Sequence, residues 1–258
     1  MTFIEKLLPA SIASLRARRR LAKGPPILVY QMGKVGSSSV HASLQARYPG
    51  LCLHLHNFFP EHEDPLVRIT YPRVMDHKNT ALVISMTREP ISRNISVFFE
   101  NFHRDTGFHL GERSFTHAEL ERLFLEKCRH DVPLNWFERH IQARFGIDVF
   151  ATPFPDAGIS TFERGNIRLL LMRCEIPDSD KERAVSSFSG VSGFSLTNKN
   201  IGERKDYAET YKQFKERVRL PQDYVNRMCD SHYFNHFYSR DFVEITRRKW
   251  LSRASHNT

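Results

Sequence analysis

The first predicted element is a basic helix at the start of the chain. Its apolar residues recur at helical spacing, at Ile4, Leu8, Ile12 and Leu15. Gly24, Pro25 and Pro26 then end the pattern, because neither residue type continues a helix well. We therefore predict a basic N-terminal helix or tail over residues 1–23 and a main domain over residues 24–258.

A strand, a turn and a helix open the main domain. Residues 27–31 (ILVYQ) are of strand type. Residues 32–39 form a turn that is rich in glycine and serine. Residues 40–48 continue as a helix, with Val40 and Leu44 on one face.

Two further strands and a helix follow. Residues 51–56 (LCLHLH) alternate as a strand does, and a loop is expected from there to about Lys78. Residues 81–87 (ALVISMT) are the most strand-like segment of the chain. Pro90 then opens a helix. Its inward-facing residues are Ile91, Ile95, Phe98, Phe99 and Phe102.

The rest of the chain is predicted to be mainly helical. One more strand is expected over residues 167–173 (IRLLLMR). Helices are expected near residues 115–129, 133–145, 204–218 and 222–238. The alternation of strands and helices predicts an α/β, P-loop-type three-layer fold with a central parallel sheet flanked by helices. Ligands of such a sheet bind at the carboxyl ends of its strands.

The charge of the chain is concentrated in its tails. The formal net charge is +9, yet residues 1–23 carry six basic residues against one acid, and residues 240–258 carry five against two. The remaining middle is close to neutral, which argues against general nucleic-acid binding by the core. The N-terminal helix suits contact with a membrane surface, and equally a solvated helix that caps the domain.

Several patterns bear on the compartment. The four cysteines are far apart, with no CxxC pair and no histidine at metal-ligand spacing. The basic residues of the N-terminus follow its short apolar part, which is the reverse of a secretory signal. No stretch has the ~18–20 apolar residues of a membrane span. We expect a cytoplasmic protein, at most peripheral at the membrane, without disulfides or metal.

The turn after the first predicted strand carries candidate chemistry. Its residues are Gly33, Lys34, Val35, Gly36, Ser37, Ser38 and Ser39. Such a turn brings successive backbone N–H groups and a helix N-terminus onto one point, where an anion can bind. It is not the nucleoside-triphosphate loop GxxxxGK[ST], since Lys34 precedes Gly36. A plain serine-capped helix after a glycine turn is the alternative, and this segment alone leaves both open.

A second motif follows the third predicted strand, in the sequence TREPISRNIS. Arg88 stands at the end of the strand, and Ser96 lies about two turns into the next helix. The pair is placed to bind a further phosphate beside the glycine turn. The alternative is an arginine in a surface loop and a serine on a helix flank.

Together these motifs resemble those of the sulfotransferases that use PAPS (3′-phosphoadenosine-5′-phosphosulfate). The family's 5′-phosphosulfate turn reads like PKSGTT, which MGKVGSS matches with lysine and glycine in register. Its 3′-phosphate motif reads like RDPxxRxxS, which Arg88, Pro90 and Ser96 match, with Glu89 in place of aspartate. QMGKVGSSS, NWF, FGIDVF and FYS look more closely like bacterial sulfotransferase-type capsular polysaccharide synthesis proteins.

The resemblance implies roles for these residues. The backbone amides of the turn, Lys34, and Ser37 or Ser38 would hold the 5′-phosphosulfate. Lys34 would also neutralise the charge that builds on the leaving phosphate oxygen. Arg88 and Ser96 would bind the 3′-phosphate, and the product would be 3′,5′-ADP. No metal is implied, and the acceptor would be a carbohydrate hydroxyl on a polysaccharide or glycolipid.

One family feature has no clear counterpart in this chain. Many members carry a late segment of RKGxxG type that closes over the 3′-phosphate. Residues 198–205 (NKNIGERK) are the nearest candidate and lack that pattern. Roles for Lys199, Arg204 and Lys205 therefore stay open.

A hydroxyl acceptor needs a base to take its proton. His54 and His56 alternate on the second predicted strand, so both side chains point to one face. His56 is nearer the carboxyl end, where the glycine turn also lies. We therefore predict His56 as the catalytic base, with His54 second and His77 a weaker alternative. The other interpretation is that these histidines only form structural hydrogen bonds.

An aromatic set offers a further candidate surface. Its members are Trp136, Phe137, Phe145, Phe150 and Phe154. Sugars stack on aromatic faces, so these rings suit an acceptor cleft. Core packing of an amphipathic helix explains them better.

Two other functions share the predicted fold. An ATP-dependent phosphotransferase is disfavoured, because the GK[ST] pattern is missing and Thr87-Arg88 stands where a magnesium-binding carboxylate would be expected. A non-catalytic nucleotide-binding module, docking through its basic tails, is the other alternative.

Overall fold

The computed structural model of this 258-residue chain describes residues 10–197 and 207–252. The candidates Lys199, Arg204 and Lys205 lie outside the described residues, as does the first part of the predicted N-terminal helix. The described residues form two compact units. The first draws on residues 10–87, 137–151 and 159–197, and the second on residues 88–136, 152–158 and 207–252. The division at residue 23 stays a prediction.

The first unit is built on a five-stranded sheet in the order β2-β1-β3-β5-β4. The strands are β1 (Ile27–Tyr30), β2 (Cys52–Leu55), β3 (Ala81–Thr87), β4 (Ile159–Arg164) and β5 (Ile167–Arg173). The pairs β1–β2, β1–β3 and β3–β5 are parallel. Only β4, which pairs with β5 at one edge, is antiparallel. The predicted α/β fold with a mostly parallel central sheet is thus confirmed, while the P-loop-type identity stays a prediction.

Helices account for most of the remaining described residues. They are α1 (Ala10–Leu21), α2 (Ser37–Arg47), α3 (Pro65–Met75), α4 (Pro90–Glu100), α5 (Phe102–Thr106), α6 (His117–Lys127), α7 (Val132–Trp136), α8 (Ala143–Phe145), α9 (Asp178–Ser189), α10 (Ala208–Arg217), α11 (Gln222–Cys229), α12 (His232–Phe237) and α13 (Arg240–Ser252), with a π-helical stretch at Phe137–Gln142. Throughout the described ranges, every helix is too short or too polar to traverse a bilayer.

Burial explains why the central strands form where they do. All four residues of β1 and all seven of β3 are buried, as expected for parallel strands covered on both faces. Strand β1 lies between β2 and β3, so the chain leaves β1 toward one side of the sheet and returns on the other. The carboxyl end of β1 is therefore the topological switch point, where open α/β sheets bind ligands.

Helix α3 occupies a region that was predicted to be a loop, and that prediction was wrong. Asp64 caps the helix by accepting a hydrogen bond from the backbone N–H of Leu66 at 2.8 Å, and Pro65 fills its first position. Its residues Val67 and Val74 are buried. The helix is hard to see in the sequence because Pro72 lies within it and an acidic, histidine-rich stretch precedes it.

The second unit is helical. Helix α4 buries the predicted residues Ile91, Ile95, Phe98 and Phe99. The single helix expected near residues 222–238 is in fact two, α11 and α12. The first of them ends at its C-cap, Asp230. The second is capped by Ser231, whose hydroxyl accepts from the backbone N–H of Phe234 at 3.2 Å.

Candidate functional site

The glycine turn lies at the switch point of the first unit. Strand β1 ends at Tyr30, and helix α2 begins at Ser37. Lys34 has a φ of 72° and Gly36 a φ of 81°, both left-handed, whereas Val35 between them is not. An alternation of this kind turns neighbouring N–H groups toward one side and makes an anion-binding concavity. The structure therefore gives the predicted turn a backbone suited to an anion.

Some residues of the turn are buried in the core, and others are accessible to solvent. Met32 and Val35 are buried at 1% and 0% exposure, so they hold the turn to the core. Lys34 is half-buried, and Ser38 is exposed in the first turn of α2. Ser37 is buried, and its hydroxyl lies 2.9 Å from Nε2 of His54. Of these two serines, Ser38 is therefore the one accessible to a ligand.

His54 is held in a hydrogen-bonded cluster. Its Nε2 lies 2.9 Å from Nε2 of Gln31 and 2.9 Å from Oγ of Ser37. The amide nitrogen of Gln31 can only donate, so the imidazole accepts at Nε2. Burial, together with the charge that neighbouring His56 and His41 can carry, lowers the pKa of His54 from 6.5 to about 3. His54 is therefore neutral at physiological pH, with this lone pair already engaged.

His56 lies just beyond the end of β2 and is exposed. Its Nδ1 lies 2.9 Å from the backbone carbonyl oxygen of Gln31. A carbonyl oxygen can only accept, so Nδ1 carries the proton and Nε2 of the neutral ring keeps a lone pair. The ring also borders the turn, since its Cε1 lies 3.9 Å from where a Cβ on Gly33 would stand. The structure thus brings both predicted histidines beside the predicted turn.

His77 lies elsewhere in the first unit. It precedes β3, at the amino edge of the parallel strands, whereas the glycine turn follows the carboxyl end of β1. Its Nδ1 lies 3.1 Å from Oδ1 of Asn166. Its position therefore offers no support for a role beside the turn.

Three residues that lie near the turn or contact the end of β1 were not among the predicted site residues. Gln31 is fully buried and contacts both histidines. His41 of α2 stacks on His54, with ring centroids 5.2 Å apart. His140, on the π-helical stretch, hydrogen-bonds through Nδ1 to the hydroxyl of buried Tyr30 at 2.8 Å. These partners are far apart in the sequence, and local patterns cannot reveal them.

The second motif is fixed by its backbone within the second unit. The hydroxyl of Tyr233 donates to the carbonyl oxygen of Arg88 at 2.9 Å and accepts from its N–H at 3.0 Å. The buried carboxylate of Glu89 caps α4 by accepting from the N–H groups of Ile91 and Ser92 at 2.6 and 2.9 Å. Burial raises the pKa of Glu89. Glu89 therefore fulfils a structural cap role at the position where the resembled family has aspartate.

Arg93 is a buried cation that the predicted site did not include. Its exposure is 4%, and its guanidinium donates to Oδ1 of Asn94 at 3.1 Å. Burial lowers the pKa of Arg93 to about 10, and nearby Arg88 contributes in the same direction. Its signal in the sequence is its place in the pattern RDPxxRxxS. Arg88 and Ser96 themselves are half-buried.

The aromatic set is mostly core. Trp136, Phe137 and Phe145 are buried, whereas Phe150 and Phe154 are half-buried. Packing therefore accounts for the first three rings. Within the part of the chain that the structure describes, no group of three or more His, Cys, Asp or Glu side chains is arranged to hold a metal ion.

Comparison with known proteins matches part of the chain to a family. A family described as "Putative capsular polysaccharide synthesis protein" matches residues 115–239, a range that includes the NWF, FGIDVF and FYS segments. The glycine turn and the Arg88 motif precede that range. No curated protein and no solved structure matches the chain. The match links residues 115–239 to polysaccharide biosynthesis and names neither a donor nor a reaction.

Proposed function

We propose that this protein is a sulfotransferase that moves a sulfuryl group from PAPS to a hydroxyl of a carbohydrate acceptor. The observation that carries the proposal is the placement of His56 beside the glycine turn, with its Nδ1 bonded to the carbonyl of Gln31. A base with a defined lone pair and an anion-binding turn are the two parts that sulfuryl transfer to a hydroxyl requires.

The turn binds the reacting end of the donor in this proposal. Backbone N–H groups of residues 33–36 and the N-terminus of α2 surround the 5′-phosphosulfate, and Ser38 adds an accessible hydroxyl. Lys34 neutralises the charge that develops on the phosphate oxygen as it leaves. Arg88 and Ser96 are assigned to the 3′-phosphate on the strength of their sequence pattern.

His56 removes the proton of the acceptor hydroxyl through Nε2. The hydroxyl oxygen forms a bond to sulfur while the bond from sulfur to the phosphate oxygen breaks on the opposite side. The products are a sulfate ester and 3′,5′-ADP, and the proton passes from the imidazolium to solvent. No redox change occurs.

Two observations bear on the acceptor and the location. The family match to capsular polysaccharide synthesis supports a polysaccharide or glycolipid acceptor. Arg18 and Arg19 of α1 are exposed, which supports contact of the basic helix with an acidic membrane surface. A cytoplasmic protein, peripheral at the membrane, fits both.

The direct test is incubation with sulfur-labelled PAPS and a panel of polysaccharide and glycolipid acceptors, read by mass spectrometry for the gain of one SO₃ group. His56→Ala is expected to lower transfer by about 10²–10⁴-fold and to leave the affinity for 3′,5′-ADP unchanged. Lys34→Met is expected to lower turnover far more than donor affinity. The control is His109→Ala, which removes a histidine whose side chain is 56% exposed.

Calorimetry distinguishes the alternatives. Binding of ATP–Mg in place of 3′,5′-ADP would favour the phosphotransferase. If neither nucleotide binds, the non-catalytic module becomes the better reading. Transfer that is unchanged in His56→Ala would remove His56 from the mechanism.

A further inference from the structure

We propose that His54 is a positioning residue that fastens together the two ends of the glycine turn. The identity of the anion that the turn binds rests on the proposed function, but the fastening itself does not. His54 thereby has a role different from that of His56, although the two histidines are only two positions apart.

The contacts of His54 define this role. Gln31 directly follows β1 and begins the turn, and Ser37 is the first residue of α2. Both side chains lie 2.9 Å from the same atom, Nε2 of His54. The chain between Gln31 and Ser37 forms the glycine turn, which includes Lys34 and Gly36. One imidazole from the neighbouring strand β2 therefore closes the base of the turn.

Both partners of His54 are buried, which makes these contacts costly to lose. Gln31 is 0% exposed and Ser37 is 4% exposed. A buried donor or acceptor that loses its partner destabilises the folded state, because the lost hydrogen bond is not replaced. Loss of the imidazole therefore removes this partner from the amide nitrogen of Gln31 and from the hydroxyl of Ser37.

His41 adds a second constraint on the ring. It belongs to α2, is 8% exposed, and stacks on His54 with an angle of 15° between the ring planes. The imidazole of His54 is thus held by a ring on one side and by two hydrogen-bonding side chains at Nε2. Its orientation is set before any ligand arrives.

The turn needs such support because its backbone is not relaxed. Lys34 has a left-handed φ of 72°, which is unfavourable for a residue with a Cβ. If the base of the turn were released, the chain between Gln31 and Ser37 could leave that conformation. The N–H groups would then no longer converge. His54 acts through the turn rather than on the substrate, so its loss should not alter the pH profile that reports the base.

Hydrogen exchange tests this inference without a ligand. In His54→Leu, backbone amides of residues 32–36 are expected to exchange at least about tenfold faster, equivalent to ~1.4 kcal/mol. Peptides from β3 serve as the internal reference. His54→Gln, which restores a hydrogen-bonding group near Nε2, should recover most of the protection. His77→Asn, at the opposite edge of the same sheet, is the matched control and should leave the turn unchanged.

Ligand binding gives the second readout. His54→Leu should weaken 3′,5′-ADP about tenfold, whereas transfer at saturating donor should keep the pH profile of the wild type. If His54→Leu fails to fold, Ser37→Ala removes one of the two contacts and should accelerate exchange in the turn by a smaller factor. Unchanged exchange of residues 32–36 in whichever of these variants folds would overturn the inference. Absence of 3′,5′-ADP binding by the wild type would instead overturn the proposed donor, and the exchange data would still decide the role of His54.

Discussion

Acid is expected to destabilise this protein through His54. The folded structure lowers the pKa of His54 to about 3, chiefly by burial, and the neighbouring rings of His41 and His56 act in the same direction when charged. In the unfolded chain the same side chain titrates near 6.5. Below that pH the unfolded state binds a proton at His54 that the folded state does not bind. The free energy of unfolding therefore falls as the pH falls from about 6.5 toward 3.

The size of the effect follows from the two pKa values. At 1.36 kcal/mol per pKa unit, the full gap corresponds to about 5 kcal/mol. Most acidic pH values used in unfolding experiments lie between these two pKa values. Between pH 7 and pH 5 this linkage lowers the free energy of unfolding by about 2 kcal/mol, and between pH 7 and pH 4 by about 3 kcal/mol.

Urea unfolding at pH 7, 6, 5 and 4 measures this linkage when the wild type is compared with His54→Gln. Glutamine keeps a hydrogen-bonding group toward Gln31 and Ser37 but does not titrate. The difference in unfolding free energy between the two proteins should shift by about 2 kcal/mol from pH 7 to pH 5. His109→Gln is the control for removing a histidine from the surface. A pH dependence that is the same in wild type and His54→Gln would refute the reasoning.

Three further outcomes are expected. Arg88→Ala should weaken 3′,5′-ADP by about 10–100-fold in calorimetry, since a charge-assisted hydrogen bond contributes about 1.5–3 kcal/mol, with little change in the melting temperature. Asp64→Ala should lower the unfolding free energy by ~1 kcal/mol in urea, because it removes the cap on the N–H of Leu66, whereas Asp64→Asn should cost less. Gly36→Ala should cost about 1 kcal/mol by the same measurement, because its φ is 81° and nothing within 4 Å would obstruct the methyl group, whereas Gly33→Ala, whose φ is not left-handed, should be tolerated by the fold.

The strands that the sequence predicts best are those that are buried on both faces. Strands β3 and β5 have the predicted bounds, residues 81–87 and 167–173. A strand covered on both sides needs apolar residues at nearly every position, and few other elements produce such a run. The central part of the fold is therefore readable from local composition.

Besides α3, the elements that were missed include one edge strand and two largely polar helices. Strand β4 is an edge strand whose residues are half-buried or exposed, so ISTFER carries no clear alternation. Helices α9 and α13 were not predicted, and both are largely polar at the surface. Strand β4 in particular depends on its antiparallel pairing with β5, because local preference contributes little at a sheet edge.

The candidate site divides in the same way. The position of the turn and the neighbourhood of His54 and His56 follow from element order, because parallel strands bring their carboxyl ends to one edge. The partners of the two histidines do not follow. Gln31 lies 23 positions from His54 and 25 from His56, and only the folded register of β1 against β2 brings them together.

That register also explains how two histidines on one face of one strand come to differ. His54 is opposite Val29 within the sheet, so its ring falls among buried side chains and its Nε2 accepts from the amide nitrogen of Gln31. His56 is past the last paired residue of β2, so its ring is exposed, although it bonds to the backbone carbonyl of Gln31 and packs edge-on against the ring of His54, with centroids 5.2 Å apart. A carbonyl fixes the proton on Nδ1 and leaves Nε2 able to accept one from a substrate. The depth of each ring relative to the sheet edge therefore separates a histidine suited to hold the turn from one suited to act as a base.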